Sequence, residues 1–456
     1  MNITKLFIDL MTHKATTTLA TYLLKPLIKY FDPISCSQTG LLTMFFERLT
    51  DEGVKWLIKV GSRILGSSAP EDLDGRNRYL VNGVAIVLDS IARFGVRKPL
   101  VTSRPLMVVW NFTNLCNLRC KHCYQDASRR HPNELSVEEK LDLVDMLCRD
   151  RVPLLAFSGG EPLAAPEFFE VAEYAANRGL FVSIATNGTL ITEEVAKRLK
   201  KLGVNYVQVS VDAATPSKHD LFRGIPGAWE LAIRGVKNLV KYGIFTCIAM
   251  TVTKFNVDEV PKVIELAKKL HVPRVALYNF IPVGKGTEIV KWDLSPIERE
   301  RLLYYILREF MKGGIEVMTT APQYGRVIAS LLEEYGYLPK VAAAHFYSGS
   351  SEWGKVVEFI GGCGAGRVYL GIEPDGTVTP CVFLKIPVGN VRQSRIRDIW
   401  MKSQVLWDLR DRDKLKDPCG SCPYKHVCGG CRARAYAYFQ DYLAPDPGCF
   451  RASKYL

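Results

Sequence analysis

Apolar positions in the middle of the chain switch repeatedly between two periods. Short runs rich in β-branched and aromatic residues occur at LMVVWNFT (106–113), PLLAFS (153–158), LFVSIATN (180–187), VNYVQVSVD (204–212), IFTCIAMTV (244–252) and PRVALYNFIP (273–282). Helical-period stretches lie between them, such as SVEEKLDLVDMLCRD (136–150) and TEEVAKRLKKLG (192–203). Ser136 and Thr192 stand at N-cap positions, and Gly203 ends the second helix. Strands this continuously apolar belong in a parallel sheet covered by helices. Six β/α units between 101 and 312 predict an α/β fold, a partial TIM-like (β/α)6 barrel rather than a closed eightfold one. In such sheets function sits at the C-terminal ends of the strands.

The flanks read differently. Residues 1–100 have helical periodicity and no strand alternation. Within them, DEGVKWLIKVGSRIL (51–65) puts Val54, Leu57, Ile58, Ile64 and Leu65 on one face, and Lys55, Lys59 and Arg63 on the other. Such a helix either packs on its own domain or lies on a membrane or apolar substrate entrance. The apolar, Lys-bearing run LATYLLKPLIKYF (19–31) upstream sustains the second reading. Residues 313–360 are expected to form a linker with a helix or two. Residues 361–456 lose helical periodicity and become Cys- and Gly-rich, which predicts a small α+β domain. Arg392, Arg395, Arg397, Arg432 and Arg434 also fall there, either as a solvated surface or as counter-charge to bound anions.

Of 456 residues, 48% are hydrophobic and 23% charged, which excludes a globally disordered or collagen-like chain. The net charge of +13 alone selects no partner, and without a recognised binding motif it makes no case for nucleic acid. The longest uncharged apolar stretches, such as 33–46, fall short of the ~18 residues that span a bilayer. Asp9 and Lys14 interrupt any signal-like core. A cytoplasmic protein is expected, with peripheral membrane contact through residues 1–66 as the alternative. In a reducing compartment, clustered Cys bind metal in preference to forming disulfides. Thirteen Cys make their spacing the informative feature.

The first run of strand leads into CNLRCKHC, with Cys116, Cys120 and Cys123 in C-x3-C-x2-C spacing. Three thiolates within eight residues converge on one centre. A structural zinc site takes four ligands. His122, the local candidate for a fourth, lies too close to Cys123 to share an easy tetrahedron with it. A structural zinc loop is the bland alternative. An iron–sulfur cubane with one open iron fits better, since thiolates suit such clusters.

With Tyr124 after the last Cys, and its place after the first strand of a β/α domain, this segment resembles the radical S-adenosylmethionine (SAM) enzymes. The resemblance implies a [4Fe–4S] cluster whose open iron chelates SAM. It also implies reductive cleavage to a 5′-deoxyadenosyl radical that abstracts hydrogen from substrate. An external electron donor such as ferredoxin or flavodoxin follows from it. Further segments match at successive strand ends. SGGEP (158–162) would bring Gly159, Gly160 and Glu161 to the SAM amino group. ATNG (185–188) would put Thr186 and Asn187 on the SAM-facing rim. In SVDAATPSKHDLFRG (210–224), Ser210 and Asp212 would face the ribose and amino-acid part, and Arg223 the carboxylate. His122 would contact adenine, and Val283 of FIPVGKG (280–286) would pack on it.

A second Cys field comprises Cys363, Cys381, Cys419, Cys422, Cys428, Cys431 and Cys449. Cys419, Cys422, Cys428 and Cys431 alone read as a zinc ribbon, which leaves three Cys unexplained. The whole set resembles the SPASM extension of radical SAM proteins, which holds auxiliary [4Fe–4S] clusters. The resemblance implies one cluster on Cys419, Cys422, Cys428 and Cys449, and another on Cys363, Cys381 and Cys431 with an open position. One or two auxiliary clusters are therefore expected. Two departures stand out. The gap before Cys431 is two residues where the family has three. Val382 stands where sulfatase-maturing members carry Asp, which removes that base and argues against formylglycine formation.

Cys148 and Cys247 sit in apolar patterns and are expected in the core; Cys36 fits neither set. His219, His271 and His345 are expected to be structural. The reaction expected is hydrogen abstraction from an unactivated C–H bond, of a peptide or protein in the first reading. The alternatives are a membrane lipid or another long apolar substrate, and a non-catalytic iron–sulfur electron-transfer protein. No winged-helix peptide-recognition module is visible in residues 1–100.

Overall fold

The computed structural model describes residues 55, 72–95, 97–335 and 361–452, together with the backbone of 341–343 and 347–349. The strands are β1 (Met107–Thr113), β2 (Leu154–Gly159), β3 (Phe181–Thr186), β4 (Tyr206–Ser210), β5 (Phe245–Val252), β6 (Arg274–Asn279), β7 (Glu316–Thr319), β8 (Val341–Ala343), β9 (Tyr347–Gly349), β10 (Tyr369–Ile372), β11 (Thr377–Thr379) and β12 (Gly389–Asn390). The helices are α1 (Arg78–Phe94), α2 (Val137–Arg149), α3 (Phe168–Asn177), α4 (Glu193–Leu202), α5 (Pro216–Arg223), α6 (Ala228–Lys241), α7 (Val260–Lys269), α8 (Pro296–Lys312), α9 (Gln323–Tyr335), α10 (Ile396–Lys402), α11 (Gln404–Arg410) and α12 (Arg432–Phe439).

The helix starts follow the caps read from sequence. Ser136 accepts from the Glu139 amide while Glu139 accepts from the Ser136 amide, a complete capping box on α2. Thr192 caps α4, and Gly203 ends it in the left-handed conformation. The α/β partial barrel is present: β1 to β7 run side by side, every pair parallel.

Two features go beyond the six units expected. Past Lys312 the chain supplies a seventh parallel strand, β7, paired with β6 from Arg274↔Glu316 to Leu277↔Thr319. The buried residues of α9 follow it. The first part of the segment read as linker is thus barrel; four residues of alternating burial are too short a strand to signal themselves. The Cys-rich region also joins the same sheet. Its β10 lies parallel to β1, Met107↔Tyr369 to Trp110↔Ile372, and β11 and β12 continue antiparallel from it.

Strand alternation divides the barrel into two faces. Leu155, Phe157, Val182, Ile184, Val207 and Val209 are buried under the helices. The intervening positions, among them Ala156, Ser183, Ala185 and Gln208, turn inward to a cavity. The apolar runs therefore carry small or polar residues at many of the alternate positions. Among the described residues, no helix is long and apolar enough to cross a membrane. The amphipathic segments 19–31 and most of 51–65 lie outside the described residues.

Candidate active site

The loop after β1 is anchored from both sides. The Arg119 amide donates to the Arg223 carbonyl (3.1 Å) and the Lys121 amide to the Phe222 carbonyl (3.0 Å), tying the CNLRC stretch to the end of α5. Gly224 makes this approach possible: it is left-handed (φ 75°), and a Cβ there would lie 2.3 Å from the Arg119 carbonyl oxygen. On the other side the Lys285 amide donates to the Cys123 carbonyl (2.9 Å).

Cys116, Cys120 and Cys123 are free thiols lining one cavity of about 660 Å³. Each sulfur accepts from a nearby donor: the Leu118 amide on Cys116 (3.5 Å), the Ala127 amide on Cys123 (3.5 Å), and Arg223 Nη1 on Cys120 (3.7 Å). Burial pushes the Cys116 thiol up to about 12 and raises Cys120 as well. As thiolates they need a bound cation to neutralise them. Among the described residues, no group of three or more His, Cys, Asp or Glu closes round a single metal ion. Three soft donors with N–H groups aimed at their sulfurs, on the wall of a roomy cavity, fit an iron–sulfur cluster.

The rim residues gather at the same end. Gly159, Gly160, Thr186, Asn187, Ser210, Arg223 and His122 all line the cavity. Gly159 has φ 115°, and a Cβ on it would meet the Thr113 carbonyl at 2.7 Å; the Gly160 and Glu161 amides donate to the carbonyls of Thr113 (2.8 Å) and Leu115 (2.7 Å). The Gly-Gly turn is thereby clamped against the backbone that leads into Cys116.

Glu161, Asp212 and Val283 stand behind the wall, not on it. Glu161 is fully buried and accepts from Thr186 Oγ1 (2.7 Å), the Asn187 amide (2.7 Å) and the Leu163 amide (3.1 Å). It braces the end of β3, and burial raises its carboxyl to about 6. Asp212 accepts from the Thr251 amide (2.8 Å), pairs with Arg223 Nε (2.6 Å) and lies 3.7 Å from His122 Nε2. It therefore orients the two cavity residues expected beside it. Burial pushes His122 down to about 3, so its ring is neutral, stacked 4.1 Å from Phe222. Val283 packs beside Ile281, Cys363 and Cys381, whereas Phe280 and Ile281 line the cavity.

Two further lining residues have no role assigned from sequence. Tyr124 bonds Asn111 Oδ1 and Ser158 Oγ, both at 2.9 Å, and packs 4.7 Å from Phe383. Asn279 lines the cavity, and its buried Nδ2, like Nδ1 of His122, has no hydrogen-bond partner within the described chain. Orphaned polar atoms on a cavity wall are sites for a ligand. A polar residue at the last position of an apolar strand was the available signal for Asn279.

The seven Cys of the second field fall into two groups. Cys419, Cys422, Cys428 and Cys449 line one cavity of about 430 Å³, together with Gly429, Gly430 and Arg326. Cys363, Cys381 and Cys431 pack in another cluster, with Tyr369, Val382 and Ile281. Cys431 separates from the other C-x2-C residues, contrary to a zinc ribbon. Its amide donates to buried Asp446 (2.7 Å). Tyr369 donates to Cys381 Sγ (3.1 Å), and Tyr369, Val382 and Phe383 also line the 660 Å³ cavity. The three-thiol group therefore adjoins that cavity's wall. Of the basic residues read from sequence, Arg432 and Arg434 are buried here, joined by Arg326, Arg367 and Arg412. Arg392 is on the surface, paired with Glu139 (2.6 Å), and Arg395 pairs with Asp150. Cys247 is in the core and Cys148 packs against it, and the His219 ring accepts from the Asp212 amide (3.1 Å). Cys36 and His345 lie outside the described residues.

A partial parallel barrel with three thiols at its mouth and two further thiol groups beside it defines a class of iron–sulfur radical enzyme. Residues 110–286 match the radical SAM superfamily, and residues 363–423 match the SPASM iron–sulfur cluster-binding domain. The chain belongs to the radical SAM superfamily and carries a SPASM domain; its cofactors are SAM and [4Fe–4S] clusters. It is 37% identical over 351 residues to the AdoMet-dependent heme synthase of Methanosarcina barkeri, covering 76% of this chain and 97% of that protein. It is 35% identical over 360 residues to the Fe-coproporphyrin III synthase of the same organism, covering 75% and 87%. Mycofactocin maturase MftC of Mycobacterium tuberculosis is 30% identical over 352 residues, 76% and 83%. In fold the chain resembles SuiB of Streptococcus suis bound to S-adenosylmethionine, with a TM-score of 0.64 at 17% identity, covering 92% of this chain and 95% of that one.

Proposed function

We propose that the barrel cavity is where this enzyme abstracts a hydrogen atom from an unactivated C–H bond of an organic substrate. Cys116, Cys120 and Cys123 hold the cluster that binds SAM, and the substrate sits below it. The cluster and SAM together supply a 5′-deoxyadenosyl radical, driven by one electron from an external donor. Arg223, oriented by Asp212, binds the SAM carboxylate. Gly159, Gly160, Thr186 and Asn187 form the rim for its amino-acid end, braced from behind by Glu161. Ser210 faces the ribose and neutral His122 the adenine, with Phe280 and Ile281 replacing Val283 as the apolar contact. In the SPASM region, Cys419, Cys422, Cys428 and Cys449 close round one auxiliary cluster. Cys363, Cys381 and Cys431 hold a second, against the substrate cavity.

The observation that carries this reading is the convergence of three thiols, the Arg223–Asp212 pair and the Gly-Gly turn on one cavity. The names of the relatives divide over substrate, between tetrapyrrole synthases at 35–37% identity and a maturase at 30%. The test is anaerobic reconstitution of the full chain, followed by assay for 5′-deoxyadenosine with SAM and a strong reductant. Formation that is lost in Cys120→Ala supports the reading; protein with a full iron complement that forms none overturns it.

A further inference from the structure

The cavity is longer than SAM chemistry at its mouth requires. Closed barrels fill their interiors with layers of bulky branched side chains. Here the inward positions at mid-depth include Ala156, Ser183, Ala185, Ala249 and Ala276 beside the larger Val109 and Gln208, and the small side chains leave the lumen open. Both Phe181 and Thr186, the two ends of β3, line the same cavity. Five residue steps at ~3.3 Å make it about 17 Å deep along that strand.

At the lower end stand Met107, Leu154, Phe181 and Met318, together with the ion pair Arg274–Glu316 (2.8 Å). That pair is about a quarter exposed and marks where the lumen reaches solvent. The Arg274 guanidinium lies 4.9 Å from the Phe245 ring, and Phe245 is 42% exposed. Tyr79 of α1 packs edge-on to Phe181 at 5.2 Å, so the N-terminal region meets the barrel at this lower rim.

Below the SAM end, the lumen wall carries no charge left for a ligand. Its cation there, Arg274, faces Glu316, while Arg223, paired with Asp212, stands at the SAM end. Two of the wall's polar side chains are already bonded within it: Tyr278 donates to Gln208 (3.1 Å) and Ser183 to the Leu155 carbonyl (3.4 Å), whereas the unpartnered Asn279 Nδ2 and His122 Nδ1 stand at the three-thiol end, where the strands finish. A tetrapyrrole presents carboxylates that need cations, and a peptide presents N–H and C=O groups that need partners. A methylene chain needs neither.

We propose that the substrate is a lipid whose long linear alkyl chain lies along this lumen, from the Arg274–Glu316 rim to the three-thiol end, presenting a methylene C–H bond there. This rests on the radical reading above, because it concerns the substrate of the same site. The test uses the anaerobically reconstituted full chain and hexadecyl glyceryl ether, tritiated for binding or perdeuterated in its alkyl chain, presented in neutral detergent. Saturable binding is expected. Ala276→Phe, which blocks the lumen, should weaken it about tenfold, and the milder Ala249→Val about threefold. With SAM and reductant, deuterium should appear in 5′-deoxyadenosine. Failure to form 5′-deoxyadenosine, with binding intact and sensitive to both substitutions, would remove the radical reading while leaving the alkyl site standing. Binding indifferent to both substitutions would overturn the alkyl site. So would unlabelled 5′-deoxyadenosine whose formation is stimulated instead by a coproporphyrin or a peptide. The same ether in liposomes distinguishes a membrane source, which should raise labelling, from a soluble one.

Discussion

Glu161 and Asp212 share burial but not charge behaviour. Asp212 meets Arg223 at 2.6 Å, and although burial opposes ionisation, the Arg223 charge outweighs it and lowers the carboxyl. Glu161 has only neutral donors in hydrogen-bond contact, and burial lifts it from 4.5 to about 6. A carboxyl raised on folding stabilises most below its ordinary value, and that contribution is lost as pH climbs through the folded value. Wild-type stability should therefore lose about 2 kcal/mol between pH ~4.5 and ~6 from this group. In Glu161→Gln that component should vanish, with a lower melting temperature overall because one acceptor becomes a donor facing the Asn187 amide or Thr186 hydroxyl. Thermal unfolding across that window, with equal slopes in both proteins, would contradict this assignment. Asp212→Asn should leave Arg223 less well held and raise KM for SAM more than it lowers kcat, by about tenfold for a lost charge-assisted bond. Steady-state 5′-deoxyadenosine kinetics read that split.

The elements carry a brace that sequence periodicity does not reveal. Lys140 of α2 is fully buried and pairs with Glu167 (2.6 Å), just before α3, and with Glu134 (3.1 Å). Arg130 closes the network onto Glu167 (2.6 Å). Glu134 in turn accepts from Thr113 Oγ1 (3.1 Å) and the Asn114 amide (3.2 Å), the residues that lead into Cys116. Burial would raise Glu167, but Arg130 and Lys140 outweigh it and bring it down to about 2. Glu167→Ala strands a buried ammonium with one partner and should cost about 3 kcal/mol. Denaturant midpoints of the anaerobic protein measure it, and a change below about 0.5 kcal/mol, the surface-substitution range, would show the brace to be idle.

What the sequence made legible follows the strength of each local signal. Capped helices, apolar strands and C-x3-C-x2-C spacing speak through neighbours in the chain, and the structure follows them at Ser136, Thr192 and Cys116. β7 was too short to announce itself, and the pairing of β10 with β1 joins residues some 260 apart. Asp212 looked like a cavity residue because its motif is on the rim. Only the fold reveals that Arg223 occupies the carboxylate from the cavity side. Segments 19–31 and 51–65, whose amphipathic pattern prompted the membrane reading, lie outside the described residues except for Lys55.

Across the whole molecule, three thiol groups follow one another, from the barrel mouth through Cys363, Cys381 and Cys431 to Cys419, Cys422, Cys428 and Cys449. Arg412 donates to the Cys363 carbonyl (2.8 Å), and Arg434 spans from α12 to the Phe280 carbonyl (2.6 Å) and Asp293 (2.7 Å). Arg434 ties the Cys-rich region to the barrel, and both buried cations offset its anionic thiolates. Three cubanes would give about twelve irons per chain, and Cys449→Ala should lower that by up to about four. Loss of all iron in that variant would mean that the groups do not load independently.

The most direct measurement combines iron and zinc analysis with 5′-deoxyadenosine detection on anaerobic wild-type protein and on Cys116→Ala, Cys120→Ala and Cys123→Ala. Each substitution should remove about four irons and abolish 5′-deoxyadenosine while leaving the remaining iron in place. Zinc bound by these three thiols, or any of the three variants still cleaving SAM at the wild-type rate, would contradict the assignment of the barrel mouth.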